Sequence, residues 1–541
     1  MKLYMKKQGF LRNVLAFALV FVLCNMNPSL AADLKPIQEI NLCTWTKTQA
    51  PIQYEEAFPI AENWKKLGMK VRVEPVNFPN PLLERTFKTH DFDVFIIEFI
   101  ARVERLDPDF YTYNSFHSSN AASGWNQGGF VNKDFDRLAE AQREEYDLQK
   151  RKALVDQCQE FLYRENPWIV MVNPHVFQAY NEVNFKDPVV PKVGGFEDPF
   201  AYMTIKPVGE RKVIRWGVFW SDLKTSNPFV ISESTQVIMI TLIYDMLMRI
   251  GPDGKPQLWA AEAINPIDEK TIDVTIRKDL KFHDGKPLTA EDVKFTFDHM
   301  IKYQALYYKT ALNALETTEV LDRYKVRFHL KIPHAPFISQ TLAMVPLLPK
   351  HIWERIEKPT EYPNVPPIGS GPFRFDHWKK AQELKMSRFP DHFRPAHVDG
   401  ILVIFYGTRE AAFTALVQKE TDVAILLIPH QIEELKRYPY IKTIQLPSTG
   451  SDSMMINCRR KPFDDPKFRL ALAHTIPRKQ ILEELYNGYG NMGGSIIAPA
   501  NQYWNNPKIK PYPFDLDKAR EILKQAGYRW DKDGRLCYPP E

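Results

Sequence analysis

The sequence predicts an α/β protein of more than one lobe, and three observations carry that expectation. Over its first 180 residues, apolar positions at helical spacing alternate with short apolar runs of strand length. At 541 residues the chain lies well past the roughly 250 to 300 at which a single hydrophobic core stops growing. Its composition, 44% hydrophobic and 25% charged, is that of a globular protein with a large core. Scarce glycine (23 residues) excludes a collagen-like chain, and 13% aromatic content excludes a disordered one.

The first 31 residues stand outside that fold. Lys2, Lys6, Lys7 and Arg12 lead into the apolar block Val14–Cys24 and then to Ser29 and Ala31, the small residues a signal peptidase requires. The block is 11 residues long, short of the roughly 20 that span a bilayer as a helix. A cleavable export signal is expected, with an uncleaved anchor as the alternative. Cys24 would suit a lipoprotein, but Leu23 before it is bulky where lipoprotein sites carry a small residue. Without this segment 67 bases face 66 acids, a balance that argues against a nucleic-acid partner. Cys43, Cys158, Cys458 and Cys537 then remain, too few for a disulfide scaffold although one or two bridges are permitted.

Along the chain, Ile60, Trp64 and Leu67 at i, i+4 and i+7 mark a helix running from Tyr54, with Gly68 as its C-cap, and Val71 and Val73 alternate with charge as a strand. A second helix is expected around Leu82–Thr89, ahead of Phe92–Ile100, an apolar run of buried-strand length. Lys133–Arg164 reads as one helical run ending at Pro167. Trp168–Val172 and Val176–Phe177 read as strands, and Lys206–Arg211 reads as a linker before a fresh strand at Val213–Trp220.

Motifs for chemistry are few. Gly488–Gly493 spells G-x-G-x-x-G, but a dinucleotide site needs that motif between a strand and a helix. Here it follows the helical Arg478–Tyr486, so Gly488 is expected to cap that helix. No H-E-x-x-H, G-x-S-x-G, P-loop or paired-cysteine zinc spacing occurs, and the 13 histidines are scattered. No cofactor, metal site or catalytic residue is expected. Asp107 and Asp109 could do acid-base work, but Asp-Pro-Asp is more often a turn.

Several long segments resemble the family 5 extracellular solute-binding proteins, the peptide, dipeptide, oligopeptide and nickel receptors of ABC importers. Asp268–Phe295 is similar to that family's most specific signature: a period-2 strand, an Asp284–Gly285 turn and a helix capped by Thr289. Gly369–Phe375, Asp464–Lys479 and Asp515–Tyr528 are similar to further family segments. The resemblance implies a two-lobed periplasmic-binding-protein-like fold of type II, in the large cluster with an extra subdomain. It implies a monomeric periplasmic receptor that clamps a peptide-like solute, hands it to an ABC permease in the inner membrane, and has no chemistry of its own. A non-peptide ligand such as an oligosaccharide, opine, haem or nickel chelate is the alternative within the family. A periplasmic enzyme or assembly factor is the alternative outside it.

Segment order departs from the family. There a strand like Lys212–Gly217 comes first, and segments like Phe92–Ile96, Phe116–Ser119, Phe135–Arg137 and Pro167–Val170 come last. Here those closing segments lead. A circular permutant rejoined near Pro207–Arg211 is expected, with a fusion of two broken receptors as the alternative. Residues 167–454 would then form one continuous lobe, and 40–166 with 455–541 the other, hinged near Pro167–Val172 and Met454–Cys458. The chain ends should meet, with Glu541 near Leu34–Ile37 and without a Cys43–Cys537 bridge.

The resemblance also implies a site. In the family's peptide receptors, an acid three residues ahead of the Asp-Pro-Asp turn holds the ligand's amino terminus, and the strand before the turn pairs with the ligand backbone. Counting back from Asp107 places Glu104 there, on Ile100–Glu104, as Glu rather than the family's Asp. The flanking Arg102 and Arg105 could redirect the site toward an anionic group. Other candidates for the cleft mouth are Trp220 and Asp222, after the first strand of the continuous lobe, and Ser451 and Ser453, just before the hinge.

Overall fold

A computed structural model describes residues 34–99, 105–219, 223, 225–231 and 234–539. Twelve strands form one sheet. Its path runs from Phe373–Lys379 through Glu383–Arg388, Gly400–Phe405, Val213–Val218, Val423–Leu427, Trp168–Asn181, Ser451–Ile456, Val94–Phe99 and Ile40–Trp45 to Val71–Val76. Ile441–Pro447 and Gly490–Met492 pair with the Trp168–Asn181 strand off that path.

Parallel neighbours in this sheet need crossover connections. The helix Pro51–Lys66 joins the parallel strands Ile40–Trp45 and Val71–Val76. Proline in its first turn removes an N–H that would have had no helical partner, and Ala57, Ile60, Ala61 and Trp64 bury the helix face against the sheet. Gly68 ends it at φ +85°, where a Cβ would run into the Gly534 carbonyl, so glycine lets the C-terminal hairpin close over the helix end.

The sheet is continuous but serves separate cores. In the 14-residue strand Trp168–Asn181, the stretch from Trp168 to Val172 pairs antiparallel with Asp452–Met455. Ile169 and Met171 pack with Ile40, Trp64, Met454 and Phe468 on one face, and Trp168 and Val170 with Phe99, Phe116 and Phe135 on the other. Further along, Phe177 and Ala179 pack on Phe413 and Leu416, and Tyr180 joins the large core around Trp216, Trp259, Phe297 and Phe328. Among the described residues the chain passes between these halves at Asn173–Pro174 and at Ser448–Gly450, side by side, where Asn173 Nδ2 donates to the Gly450 carbonyl at 2.9 Å.

A four-stranded antiparallel sheet, in the order Ala261–Pro266, Thr271–Ile276, Lys325–Leu330, Leu315–Asp322, extends the larger half. It follows the local signals: Gly285 turns at φ +87°, and the Thr289 backbone N–H and Oγ1 both donate to Asp292 Oδ2 at 2.9 Å, starting the helix Ala290–Lys302.

Elsewhere the structure corrects the local reading. Lys133–Arg164 is two helices, Lys133–Glu144 and Leu148–Glu165, because the Asp147 carboxylate caps the second by accepting from the Gln149 and Lys150 amides. Leu82–Thr89 is a short α turn running into a wider π turn that ends at left-handed His90. Trp168–Val172 and Val176–Phe177 belong to one strand. The Lys206–Arg211 stretch is not a free linker: Lys206–Pro207 pairs with Phe185–Lys186, and Arg211 Nη1 lies 2.6 Å from the buried Asp422 Oδ1.

The described ends of the chain lie together. Pro36 bridges Cys537, Ile37 N donates to Leu536 O at 2.9 Å, and Tyr538 N to Lys35 O at 3.0 Å. Glu541 and the expected signal segment lie outside the described residues. Among the described residues, Cys43, Cys158, Cys458 and Cys537 form no bridges. No described helix is long and apolar enough to cross a membrane.

Candidate functional site

Of the residues singled out from the sequence, Ile100, Arg102, Glu104, Trp220 and Asp222 lie outside the described residues. Arg105 is described and 9% exposed. Its guanidinium lies over the rings of Phe99 (5.0 Å), Phe110 (5.1 Å) and Trp125 (6.0 Å), so its charge rests on aromatic faces of its own half. Ser451 and Ser453 open the strand Ser451–Ile456, opposite Phe99 and Ile97, with their hydroxyl oxygens 2.9 Å apart and both side chains buried.

Between those serines, Asp452 points to the other face and joins a buried acidic group that sequence reading missed. Asp452 stands directly opposite Glu98 in the antiparallel ladder, which puts both carboxylates on one face. One turn of the Pro51–Lys66 helix adds Gln53 and Glu56 at i and i+3. Gln53 Nε2 donates to Asp452 Oδ2 at 3.1 Å, and the Tyr486 hydroxyl contacts both Glu56 Oε1, at 3.2 Å, and Asp452 Oδ2. Among the described residues, Glu56 Oε2 and Asp452 Oδ1 are buried without hydrogen-bond partners.

Electrostatics there follow from burial without neutralisation. Burial, then the Glu98 carboxylate, pushes Asp452 up to about 8, against the hydrogen bonds of Tyr486 and Gln53. Burial and then Asp452 hold Glu56 well above the ordinary carboxylate range. Burial raises Glu98 too, opposed by a cation from the other half of the molecule, Arg409. Arg409 begins the helix Arg409–Val417, lies over Phe219 at 4.5 Å and donates to the Leu426 carbonyl. Near the two chain passages, an acidic group of one half thus faces an arginine of the other.

The halves meet again at the Asp107–Pro108–Asp109 turn. Asp107 is held bidentately by Arg151, Nη2 to Oδ1 at 2.6 Å and Nη1 to Oδ2 at 3.1 Å. Asp109 Oδ1 accepts from Gln142 Nε2 at 2.9 Å and forms an ion pair with Arg143 Nε, also at 2.9 Å. Burial would raise Asp107, but Arg151 brings it below the usual range; burial leaves Asp109 raised in spite of Arg143. From the larger half, Ser339 Oγ donates to Asp107 Oδ2 at 2.8 Å, Ala335 N to the Arg143 carbonyl at 2.7 Å, and His334 N to the Tyr146 hydroxyl at 3.0 Å. Tyr146 in turn donates to the Glu269 carbonyl at 2.9 Å.

These groups can bind and clamp. The carboxylates are tied to arginines or crowded by one another, and among the described residues no three His, Cys, Asp or Glu side chains are disposed to hold a metal ion. The Gly488–Gly493 motif carries no nucleotide geometry: Gly488, at φ +77°, closes the end of the Arg478–Leu485 helix by donating to the Leu482 carbonyl at 2.9 Å.

Known proteins agree with this architecture. The chain is 28% identical over 332 residues to the oligopeptide-binding protein AppA of Bacillus subtilis, covering 57% of this chain and 60% of AppA. It is 27% identical over 318 residues to the glutathione-binding protein GsiB of Escherichia coli, with the same coverage. The chain therefore spans about 60% of the length of these curated relatives. Among solved structures, NikZ of Campylobacter jejuni, in complex with Ni(L-His), shares the fold over 60% of this chain and 65% of that one, at a TM-score of 0.51 and 22% identity. Residues 255–539, more than half of the chain, match the family described as bacterial extracellular solute-binding proteins, family 5 Middle. With that match, and with two halves of separate cores joined through one shared sheet, the chain belongs to the family 5 extracellular solute-binding proteins.

Proposed function

We propose that this chain is the substrate-binding receptor of a peptide-type ABC importer, acting in the periplasm as a monomer without chemistry of its own. The observation that carries the reading is the pair of adjacent chain passages, Asn173–Pro174 and Ser448–Gly450, that connect halves with separate cores. Two strands crossing side by side leave one easy axis of bending, as a clamp requires. The oligopeptide- and glutathione-binding relatives support a peptide-like solute.

In this reading one lobe is the continuous stretch 167–454, and the other is built from 40–166 and 455–541, with the bending points at the two passages a few residues inside those limits. The pairing of Lys35–Ile37 with Leu536–Tyr538 supports a permuted order, since a permutant requires its ends to meet. Glu104, with Ile100 and Arg102 beside it, is the proposed anchor for the ligand's amino terminus. Trp220, Asp222, Ser451 and Ser453 are the proposed residues of the mouth, and Arg105, over the rings of Phe99 and Phe110, is proposed to stiffen its base.

Thermal unfolding against a pool of short peptides tests the reading. A ligand bound only by the folded state at 100 times its Kd adds about 2.7 kcal/mol. Co-purifying material identified by mass spectrometry should be peptidic; a sugar or metal chelate would move the ligand class, and turnover of the pool would sink the receptor. Glu104→Gln should weaken peptide binding by about 2 to 5 kcal/mol with the fold intact. An unchanged affinity would shift the anchoring role to Arg102.

A further inference from the structure

His334 is fully buried, yet among the described residues neither of its ring nitrogens has a hydrogen-bond partner. It sits where the two halves touch, between the Ser339–Asp107 and Ala335–Arg143 hydrogen bonds and the backbone bond to Tyr146. A neutral imidazole would normally satisfy at least one of its nitrogens when buried. We propose that His334 makes this contact an acid-labile latch, so that the lobes hold one another near neutral pH and let go as their surroundings acidify.

The charged groups around the ring favour this. From the helical hairpin of the opposite half come Arg143 and Arg151, the two cations that act on His334, and the Tyr146 hydroxyl. From the turn come Asp107 and Asp109, both already committed to those arginines. From the side of His334 itself come Asp268 and Glu269, whose charges act on Tyr146. A proton added to the ring would therefore sit buried beside two guanidinium groups.

Burial first, and then Arg143 and Arg151, hold His334 well below the ordinary histidine value. Separating the halves removes the facing arginines and lets water reach the ring, so the open form regains a value near about 6.5. The open form then takes up a proton that the closed form refuses. Closure has full strength above about pH 6.5, and its equilibrium constant falls by up to about tenfold per pH unit below it.

The consequence for ligand release rests on the receptor reading, but lobe separation can be measured without a ligand. Small-angle X-ray scattering of the full chain from pH 8 to pH 5 should show the radius of gyration rising below about pH 6.5. His334→Gln should abolish that rise, and Ser339→Ala should keep its slope while favouring the open form at every pH. A flat wild-type curve, or the same curve in His334→Gln, would overturn the proposal. Should the glutamine variant fail to fold, hydrogen exchange of the wild-type His334 and Ala335 amides decides. Corrected for intrinsic rates, their protection must fall with acid, and constant protection would overturn the latch. A peptide pool that never shifts the melting temperature would instead sink the receptor reading and leave these curves unaltered.

Discussion

Two buried ionic groups lie between the same two halves and obey opposite arithmetic. At the turn, Asp107 and Asp109 meet Arg151 and Arg143, two charges against two. Around Asp452, three carboxylates lie with Gln53 and Tyr486, under the influence of Arg409 on the other half. Burial raises a carboxylate in either place; a bidentate guanidinium reverses it at Asp107, whereas a second carboxylate reinforces it at Asp452. Similar burial therefore gives one group that holds its charge and another that holds protons.

The pH consequences run in opposite directions. A carboxylate lowered by folding contributes stability that is present above its unfolded value of about 3.9 and fades as pH falls through the folded value. That is Asp107. A carboxylate raised to about 8 contributes stability that is complete below about 3.9 and fades as pH rises to about 8. That is Asp452.

The contrast can be broken most severely from the matched side. Arg151→Met leaves Asp107 buried without its guanidinium, and urea unfolding near neutral pH should show a loss of about 3 to 5 kcal/mol. A loss below about 1 kcal/mol would mean that the Ser339 hydroxyl and the Asp109 amide, which donates to Asp107 Oδ1 at 3.0 Å, suffice to hold the charge.

On the crowded side the sign reverses. Asp452→Asn keeps an acceptor for Gln53 and Tyr486 while removing a charge, so at pH 8 it should stabilise the protein by about 1 to 3 kcal/mol. The gain should shrink to nothing at about pH 3, below the unfolded value of about 3.9, where the wild-type carboxyl is protonated in both states. Urea titrations at the two pH values check this, and a destabilised variant at pH 8 would show that the carboxylate is neutralised by a partner.

The smallest effect tests the cation that reaches across, Arg409. Arg409→Gln removes what opposes the burial of Glu98, so the loss of stability with rising pH, which starts at the unfolded carboxylate value, should continue to higher pH, and stability at pH 7 should drop by about 0.5 kcal/mol, the scale of a partly exposed pair. An unchanged pH profile would confine the acidic group to its own half.

Much of the frame was legible in the sequence because its signals are local. The Ile60–Trp64–Leu67 stripe with Gly68, the Thr271–Ile276 alternation and the Thr289 start of a helix each act within a turn or a strand, and each stands in the structure. Where a local signal misled, another local signal had prevailed: Asp147, inside a run of helix formers, caps a new helix and divides Lys133–Arg164.

Local patterns of residues are enough for the alternation of strands and helices, the family, and the residues that cap and turn the chain. Tertiary structure alone decided which charges meet. Glu56, Glu98 and Asp452 come from a helix and two strands, distant along the chain, and only the register of Asp452 opposite Glu98 makes them neighbours. His334 looks ordinary in sequence and becomes a candidate switch only because the opposite half covers it with Arg143 and Arg151. Periodicity is set by neighbours a few residues away, whereas the energy of a buried charge depends on every group within several ångströms, wherever the chain supplies it.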